Sequence, residues 1–119
     1  MVETAPELTG ILQIQQKLGE KIAVALAMAF LDDTDGMLET IGDCVKKQDA
    51  AGLRQLTHKL LGVSASIMDK ETNQLCRWLE DLGDDNSWDK AGGTYEQLQG
   101  SLTKTREALK KYLDEHQPK

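Results

Sequence analysis

Two histidines are the residues of this sequence best suited to nucleophilic, acid–base or metal chemistry, and their settings differ. His116 lies in a polar C-terminal tail, where we expect a solvated, frayed residue without a role. His58 lies inside an apolar-periodic segment, residues 53–67, that is typical of a packed helix. The orientation of His58 on that helix therefore decides which chemistry is open to it.

Helical geometry predicts that His58 points at solvent. Successive residues turn by about 100°, so one arc of the helix collects the apolar residues Leu53, Leu56, Leu60, Val63 and Ile67. His58 lies almost opposite the centre of that arc. A ring in that position is accessible to a second molecule and can act as a nucleophile.

The residues that share the His58 face are small or positively charged. Ala51, Gly62 and Ala65 lie at helical spacing from His58, and Arg54 lies one turn before it. Glycine within a helix costs about 0.5–1 kcal/mol relative to alanine, and its missing side chain leaves the imidazole open to approach. The face predicts a docking surface, although a surface histidine beside a tolerated glycine would show the same pattern.

Metal and hydrolytic chemistry are both disfavoured. No second histidine, cysteine or carboxylate shares the His58 face within one turn, so we expect no bound metal. Cys44 and Cys76 have neither a zinc-site spacing nor a disulfide framework, and we expect reduced core thiols in a cytoplasmic chain. No serine or cysteine stands in a nucleophile motif. The aspartates between residues 81 and 89 lack a calcium-loop pattern and indicate a solvated loop.

The elements that must position His58 are all predicted to be helices. The prolines lie only at the two ends of the chain, and Asp49 and Asp69 are typical N-caps. Apolar periodicity predicts helices over residues 7–18, 20–47, 50–67 and 70–82, and a last helix that starts between residues 88 and 94.

Short connections between amphipathic helices favour an all-α fold, an antiparallel four-helix bundle with a short extra N-terminal helix. We expect a single domain over residues 1–119, with a bundle core at about 20–115 and tails at 1–6 and 116–119. Phe30 and Trp78 are expected to pack within the bundle or against the N-terminal helix.

Charge and hydropathy exclude two classes of partner. The formal net charge of the 119 residues is -6, whereas nucleic-acid binding needs clustered lysine and arginine. The longest apolar run covers residues 22–31, and a bilayer-spanning helix needs about 20 residues. We therefore expect neither nucleic-acid binding nor direct membrane contact.

The stretch THKLLGVSASI at residues 57–67 resembles the signature of histidine-containing phosphotransfer (HPt) domains. In that family an apolar residue follows the histidine at +2, a lysine at +3, a glycine at +4, and then a run of small residues. The pairs Leu75–Cys76 and Leu79–Glu80 stand at the family's spacing from His58. The resemblance covers about residues 8–113, with one departure, because Leu61 occupies the usual lysine position.

The resemblance implies a phosphorelay intermediate in two-component signalling. His58 would accept a phosphoryl group from the aspartate of a response-regulator receiver domain and pass it to the aspartate of another receiver. The chain would be a phosphoryl carrier without kinase activity of its own and without a cofactor, since magnesium is expected in the receiver. It would be either free-standing or part of a hybrid histidine kinase. The exposed nucleophile surface, independently of the resemblance, favours a monomer.

The resemblance also implies roles for the residues around His58. Lys59, Arg54 and Gln55 are the candidates to stabilise the phosphoryl group, with Arg54 in partial compensation for the missing lysine. The docking surface would be formed by Leu61, Gly62, Ala65 and Ala51. Two alternatives stay open, a four-helix interaction module with an unphosphorylated His58 and the phosphoacceptor domain of a chemotaxis-type histidine kinase.

Overall fold

A computed structural model describes residues 6–116, and all of its regular elements in that range are helical. A single 3₁₀ turn, Pro6–Leu8, leads into the first α-helix. The α-helices are α1 Thr9–Leu18, α2 Glu20–Thr34, α3 Met37–Lys47, α4 Ala50–Ser66, α5 Lys70–Asp84 and α6 Trp88–His116. Within residues 6–116, none of these helices is long and apolar enough to cross a membrane.

The helices form the predicted bundle, with α2 and α3 together as one of its four members. This pair packs against α4, α4 packs against α5, α5 packs against α6, and α6 closes the ring against α2 and α3. α1 packs on α2 as the extra N-terminal helix. The all-α bundle predicted from periodicity is therefore confirmed.

The two predicted N-caps fix where the central helices begin. Asp49 Oδ1 accepts a hydrogen bond from the Gly52 amide at 2.9 Å, and Asp69 Oδ1 accepts one from the Thr72 amide at 3.2 Å. Each bond satisfies an amide that the first helical turn leaves unpaired. Only residues 67–69 connect α4 to α5, so the two helices run antiparallel as packed neighbours.

The prediction of one helix over residues 20–47 is wrong, because the chain turns between α2 and α3. Gly36 adopts φ +72°, a left-handed conformation that glycine reaches without steric cost. Arg106 of α6 covers the end of α2, donating from Nη1 to the Leu31 carbonyl at 2.8 Å and to Thr34 Oγ1. A distant cation thus satisfies one carbonyl oxygen, that of Leu31, near the end of α2, where the helix leaves its last carbonyls without an intrahelical partner.

The α5–α6 loop is shorter than predicted. α5 continues through Gly83 and Asp84, and α6 already begins at Trp88. Gly83 is buried against α4, and a Cβ built on it would lie 2.8 Å from Leu53 Cδ2. The glycine therefore permits close packing of α5 on α4 and does not mark a loop.

Two predictions about burial need correction. Trp78 is 52% exposed on α5, whereas Phe30 is buried as expected. His116 is half-buried within α6, and its ring stacks on Tyr112 with centroids 4.1 Å apart. The extra N-terminal helix α1 adds the buried Ile11 and Ile14 to the hydrophobic core.

Candidate functional site

His58 lies on the solvent side of α4 and its side chain is exposed, as helical geometry predicted. Gly62 is also exposed, and a Cβ built on it would have no atom within 4 Å. Ala51 and Ala65 are exposed on the same face, and Leu61 is half-buried against the core. The structure therefore brings all four predicted docking residues to one low surface around the imidazole.

Two polar residues that the sequence analysis did not single out anchor the side of α4 that packs against α5. Thr57 and Ser64 are fully buried against α5. The Thr57 hydroxyl lies 3.2 Å from both the Arg54 carbonyl and Glu80 Oε2, so its single proton has two acceptors. Cys76 Sγ donates to the Thr57 carbonyl at 3.1 Å. The residue directly before His58 is thus fixed through its side chain and its backbone.

Asn73 of α5 fixes the next turn of α4. Its Nδ2 donates to the Leu61 carbonyl and to Ser64 Oγ, both at 3.0 Å. Its Oδ1 accepts a hydrogen bond from Arg77 Nε at 3.1 Å. The turn that carries His58 and Leu61 is therefore held by bonds from α5.

A buried thiol completes this contact between the helices. Cys76 is fully buried, and desolvation, assisted by the nearby Glu80 carboxylate, raises its thiol pKa to about 12. The thiol consequently stays protonated at neutral pH and acts as a hydrogen-bond donor toward α4. Cys44 and Cys76 are both free and buried, in agreement with the prediction of core thiols.

The three predicted phosphoryl-stabilising residues have different surroundings. Arg54 donates from Nη2 to Asp84 Oδ1 at 2.6 Å, and this hydrogen bond raises the pKa of its guanidinium. Lys59 lines a shallow depression with Asp33 and Asp35, toward the turn between α2 and α3. Gln55 is exposed, and its side chain has no hydrogen bond to another residue in the described range. Each of the two cations therefore has acidic neighbours of its own.

The arrangement suits nucleophilic chemistry at a protein surface. Among residues 6–116, no group of three histidine, cysteine or acidic side chains is arranged to hold a metal ion. His58 combines an exposed imidazole with a helix whose other side is fixed by hydrogen bonds. Such a group can be approached by a reactive centre that a second molecule carries.

Comparisons with known proteins agree with this geometry. The Hpt domain model matches residues 25–115, which include the whole of α4 and α5. The fold is similar to the crystal structure of histidine-containing phosphotransfer protein B from Pseudomonas aeruginosa PAO1, with a TM-score of 0.81 over 96% of this chain and 100% of that chain, at 21% identity. A sequence search of curated proteins gives no match. The chain therefore belongs to the Hpt domain family, whose members are phosphotransfer intermediates of two-component signalling.

Proposed function

We propose that His58 is the phosphoacceptor, taking a phosphoryl group from the aspartate of one receiver domain and passing it to the aspartate of another. The observation that carries this proposal is the exposed imidazole beside Gly62, on a helix face with no covering side chain. The histidine of the family's motif and the outward-facing histidine of the bundle are the same residue.

The transfer needs little from this chain beyond a well-placed nucleophile. A lone pair on a neutral ring nitrogen of His58 attacks phosphorus, an N–P bond forms, and the P–O bond to the aspartate breaks. The electron pair of that bond stays on the aspartate carboxylate, and the other ring nitrogen keeps its proton. Positioning and charge neutralisation dominate phosphoryl transfer, and we assign the magnesium ion to the receiver, with no cofactor on this chain.

The docking surface would be small and centred on the imidazole. Gly62, Ala65 and Ala51 keep the face low, and Leu61 contributes an apolar edge. A transient signalling contact of this kind buries less than about 1,200 Å². Arg54, Lys59 and Gln55 border the surface, where they would face the phosphoryl group or the receiver.

The decisive experiment is transfer from a phosphorylated receiver to the wild-type chain and to His58→Ala. We expect an acid-labile phosphoryl group on the wild type and none on His58→Ala, while His116→Ala keeps the label. Because His58 is exposed, its loss should leave the thermal unfolding curve unchanged.

Two results would contradict the proposal. A wild-type chain that stays unlabelled by every receiver tested would favour the interaction module with an inert His58. Labelling only by a kinase domain with ATP would favour the phosphoacceptor domain of a chemotaxis-type kinase. Light scattering of the same samples would test the monomeric state that we propose.

A further inference from the structure

The turn of α4 that carries His58 lacks a cation at the position where the family resemblance leads us to expect one. Leu61, three residues after His58, is apolar and half-buried. Phosphorylation brings about −1.5 to −2 of charge at pH 7, so a phosphoryl group on His58 needs a positive partner close to this turn. The inference below rests on the proposed function of His58.

Arg77 of α5 is connected to this turn through one side chain. Its Nε donates to Asn73 Oδ1 at 3.1 Å, and Asn73 Nδ2 donates to the Leu61 carbonyl at 3.0 Å. The first of these bonds directs the guanidinium along α5 toward Asn73, and hence toward the level of Leu61. Arg77 is therefore linked, through Asn73, to the residue that occupies the place of the missing lysine.

Arg77 lies on the side of α5 that borders the His58 face. Asn73, Arg77 and Asp84 follow each other at steps of four and seven residues, which places them on one face of the helix. Asp84 pairs with Arg54, and Arg54 lies one turn before His58 on the exposed face of α4. The face of α5 that bears Arg77 thus meets α4 on the side of the imidazole.

The level of Arg77 along the α4–α5 seam also matches that of His58. The contact of Cys76 with the Thr57 carbonyl joins the residues that directly precede Arg77 and His58. With a rise of about 1.5 Å per residue, Arg77 lies about 6 Å from Asn73 along α5, and His58 lies about 4.5 Å from Leu61 along α4. Both distances are measured from the same hydrogen-bonded pair, Asn73 and Leu61, so the backbone positions of Arg77 and His58 stand at similar heights along the two antiparallel helices.

Arg54 and Arg77 differ in whether a carboxylate already neutralises the guanidinium charge. Arg54 is paired with Asp84 at 2.6 Å. Within residues 6–116, the terminal nitrogens of Arg77 have no hydrogen bond or ion pair, and its side chain is exposed. Guanidinium nitrogens of this kind can bind two phosphoryl oxygens at once.

We propose that Arg77 holds the phosphoryl oxygens of phosphorylated His58 and so replaces the lysine that Leu61 displaces. Asn73 is the positioning residue, because it ties the Arg77 side chain to the His58 turn. Lys59 lies on the flank of α4 that faces the turn between α2 and α3, beside Asp33 and Asp35. It can therefore act on the phosphoryl group only from the side away from α5.

The test uses potassium phosphoramidate to phosphorylate the full chain, so no receiver is needed. Phosphohistidine formation and its half-life are followed by ³¹P NMR in the wild type, Arg77→Gln, Arg77→Lys and Lys111→Gln. Lys111→Gln is the matched control, since it removes one exposed positive charge from α6. We expect Arg77→Gln to shorten the half-life by about tenfold, Arg77→Lys to shorten it less, and Lys111→Gln to keep it within twofold.

A second-site variant separates a direct role of Arg77 from a structural one. Leu61→Lys in the Arg77→Gln background restores the usual lysine and should recover most of the half-life, whereas it repairs no contact made by Arg77. Because Leu61 is only half-buried, a lysine at this position can extend its charged end into solvent.

The outcomes also separate this inference from the proposed function. If the wild type acquires no phosphoryl group on His58, judged against His58→Ala, both fail. If the wild type is phosphorylated but Arg77→Gln keeps its half-life, or Leu61→Lys brings no recovery, only the role of Arg77 is overturned. Thermal unfolding of each variant checks that the compared chains are folded.

Discussion

The side of α4 that faces α5 and the side that faces solvent differ in how their groups are engaged. On the inner side, Thr57 and Ser64 are buried and bonded to residues of α5. On the outer side, His58 is exposed and Gly62 has open space above it. The helix that carries His58 is thus fixed on the side that packs against α5 and uncovered on the side that, under the proposed function, a receiver would approach. The contacts that stabilise α4 lie on the side facing α5, and the solvent side leaves the imidazole of His58 open to approach.

Filling the open side should have the largest effect. We expect Gly62→Gln to slow transfer from a phosphorylated receiver by at least tenfold, because a side chain there lies where the receiver must approach. Nothing in the fold opposes the new side chain, so the free energy of unfolding should not fall. Stopped-flow or quench-flow transfer assays measure the rate, and phosphoramidate labelling of His58 should stay close to normal.

Gly93→Gln is the control for this substitution. Gly93 is also an exposed helical glycine with no atom within 4 Å of a built Cβ, but it lies on α6. It should keep the wild-type transfer rate. Equal rates for Gly62→Gln and the wild type would refute the idea that the open face is the route of approach.

Weakening the inner side should cost stability. Asn73→Ala removes the two hydrogen bonds that Asn73 donates to α4 and the one that it accepts from Arg77. We expect a loss of about 1–3 kcal/mol in the free energy of unfolding, because Ser64 loses a buried partner. Urea denaturation followed by circular dichroism gives the value.

The neighbouring Gln74→Ala provides the reference for Asn73→Ala. Gln74 is exposed on α5 and should change stability by less than about 0.5 kcal/mol. A loss at Asn73 no larger than that at Gln74 would mean that the bonds to α4 contribute nothing net.

The buried thiol on the inner side of α4 also predicts that the free energy of unfolding falls at alkaline pH. Cys76 has a pKa of about 12 in the folded chain against an ordinary value of 9.0, because burial disfavours the thiolate. The folded state therefore keeps a proton that the unfolded state releases, so this contribution is intact below pH 9.0 and is lost as the pH rises toward 12. The expected slope is at most about 1.4 kcal/mol per pH unit.

Cys76→Ala isolates that slope. Tyr95 and Tyr112 also have raised pKa values through burial and contribute in both chains. Denaturation at several pH values above 9 should give a shallower decline in Cys76→Ala than in the wild type. Parallel declines would show that the thiol does not titrate differently in the two states.

The outer side of α4 could be predicted from the sequence, and the inner side only in part. The apolar arc of α4 placed His58 correctly, because exposure follows from the helical period alone. Thr57 and Ser64 were missed as core residues, since their polar type predicts a surface unless their partners on α5 are known. Those partners, Asn73 and Glu80, depend on the register of α5 against α4, which no local pattern encodes.

The same limit applies to the ends of the helices. Asp49 and Asp69 act through residues three positions away, so the sequence predicts both helix starts. The end of α2 depends on Arg106, which lies far along the chain in α6. Gly83 resembled a loop residue, although its small size serves packing against Leu53. Local chemistry was predictable, and contacts between distant elements were not.

The smallest change that distinguishes the two sides of α4 is Gly62→Ala. Alanine is favoured over glycine in a helix by about 0.5–1 kcal/mol, and the added methyl meets no atom within 4 Å. The free energy of unfolding should therefore rise by about that amount, while receiver transfer falls far less than in Gly62→Gln. Denaturation together with the transfer assay measures both. A decrease in stability would mean that the open face contributes to folding and that access does not explain the glycine.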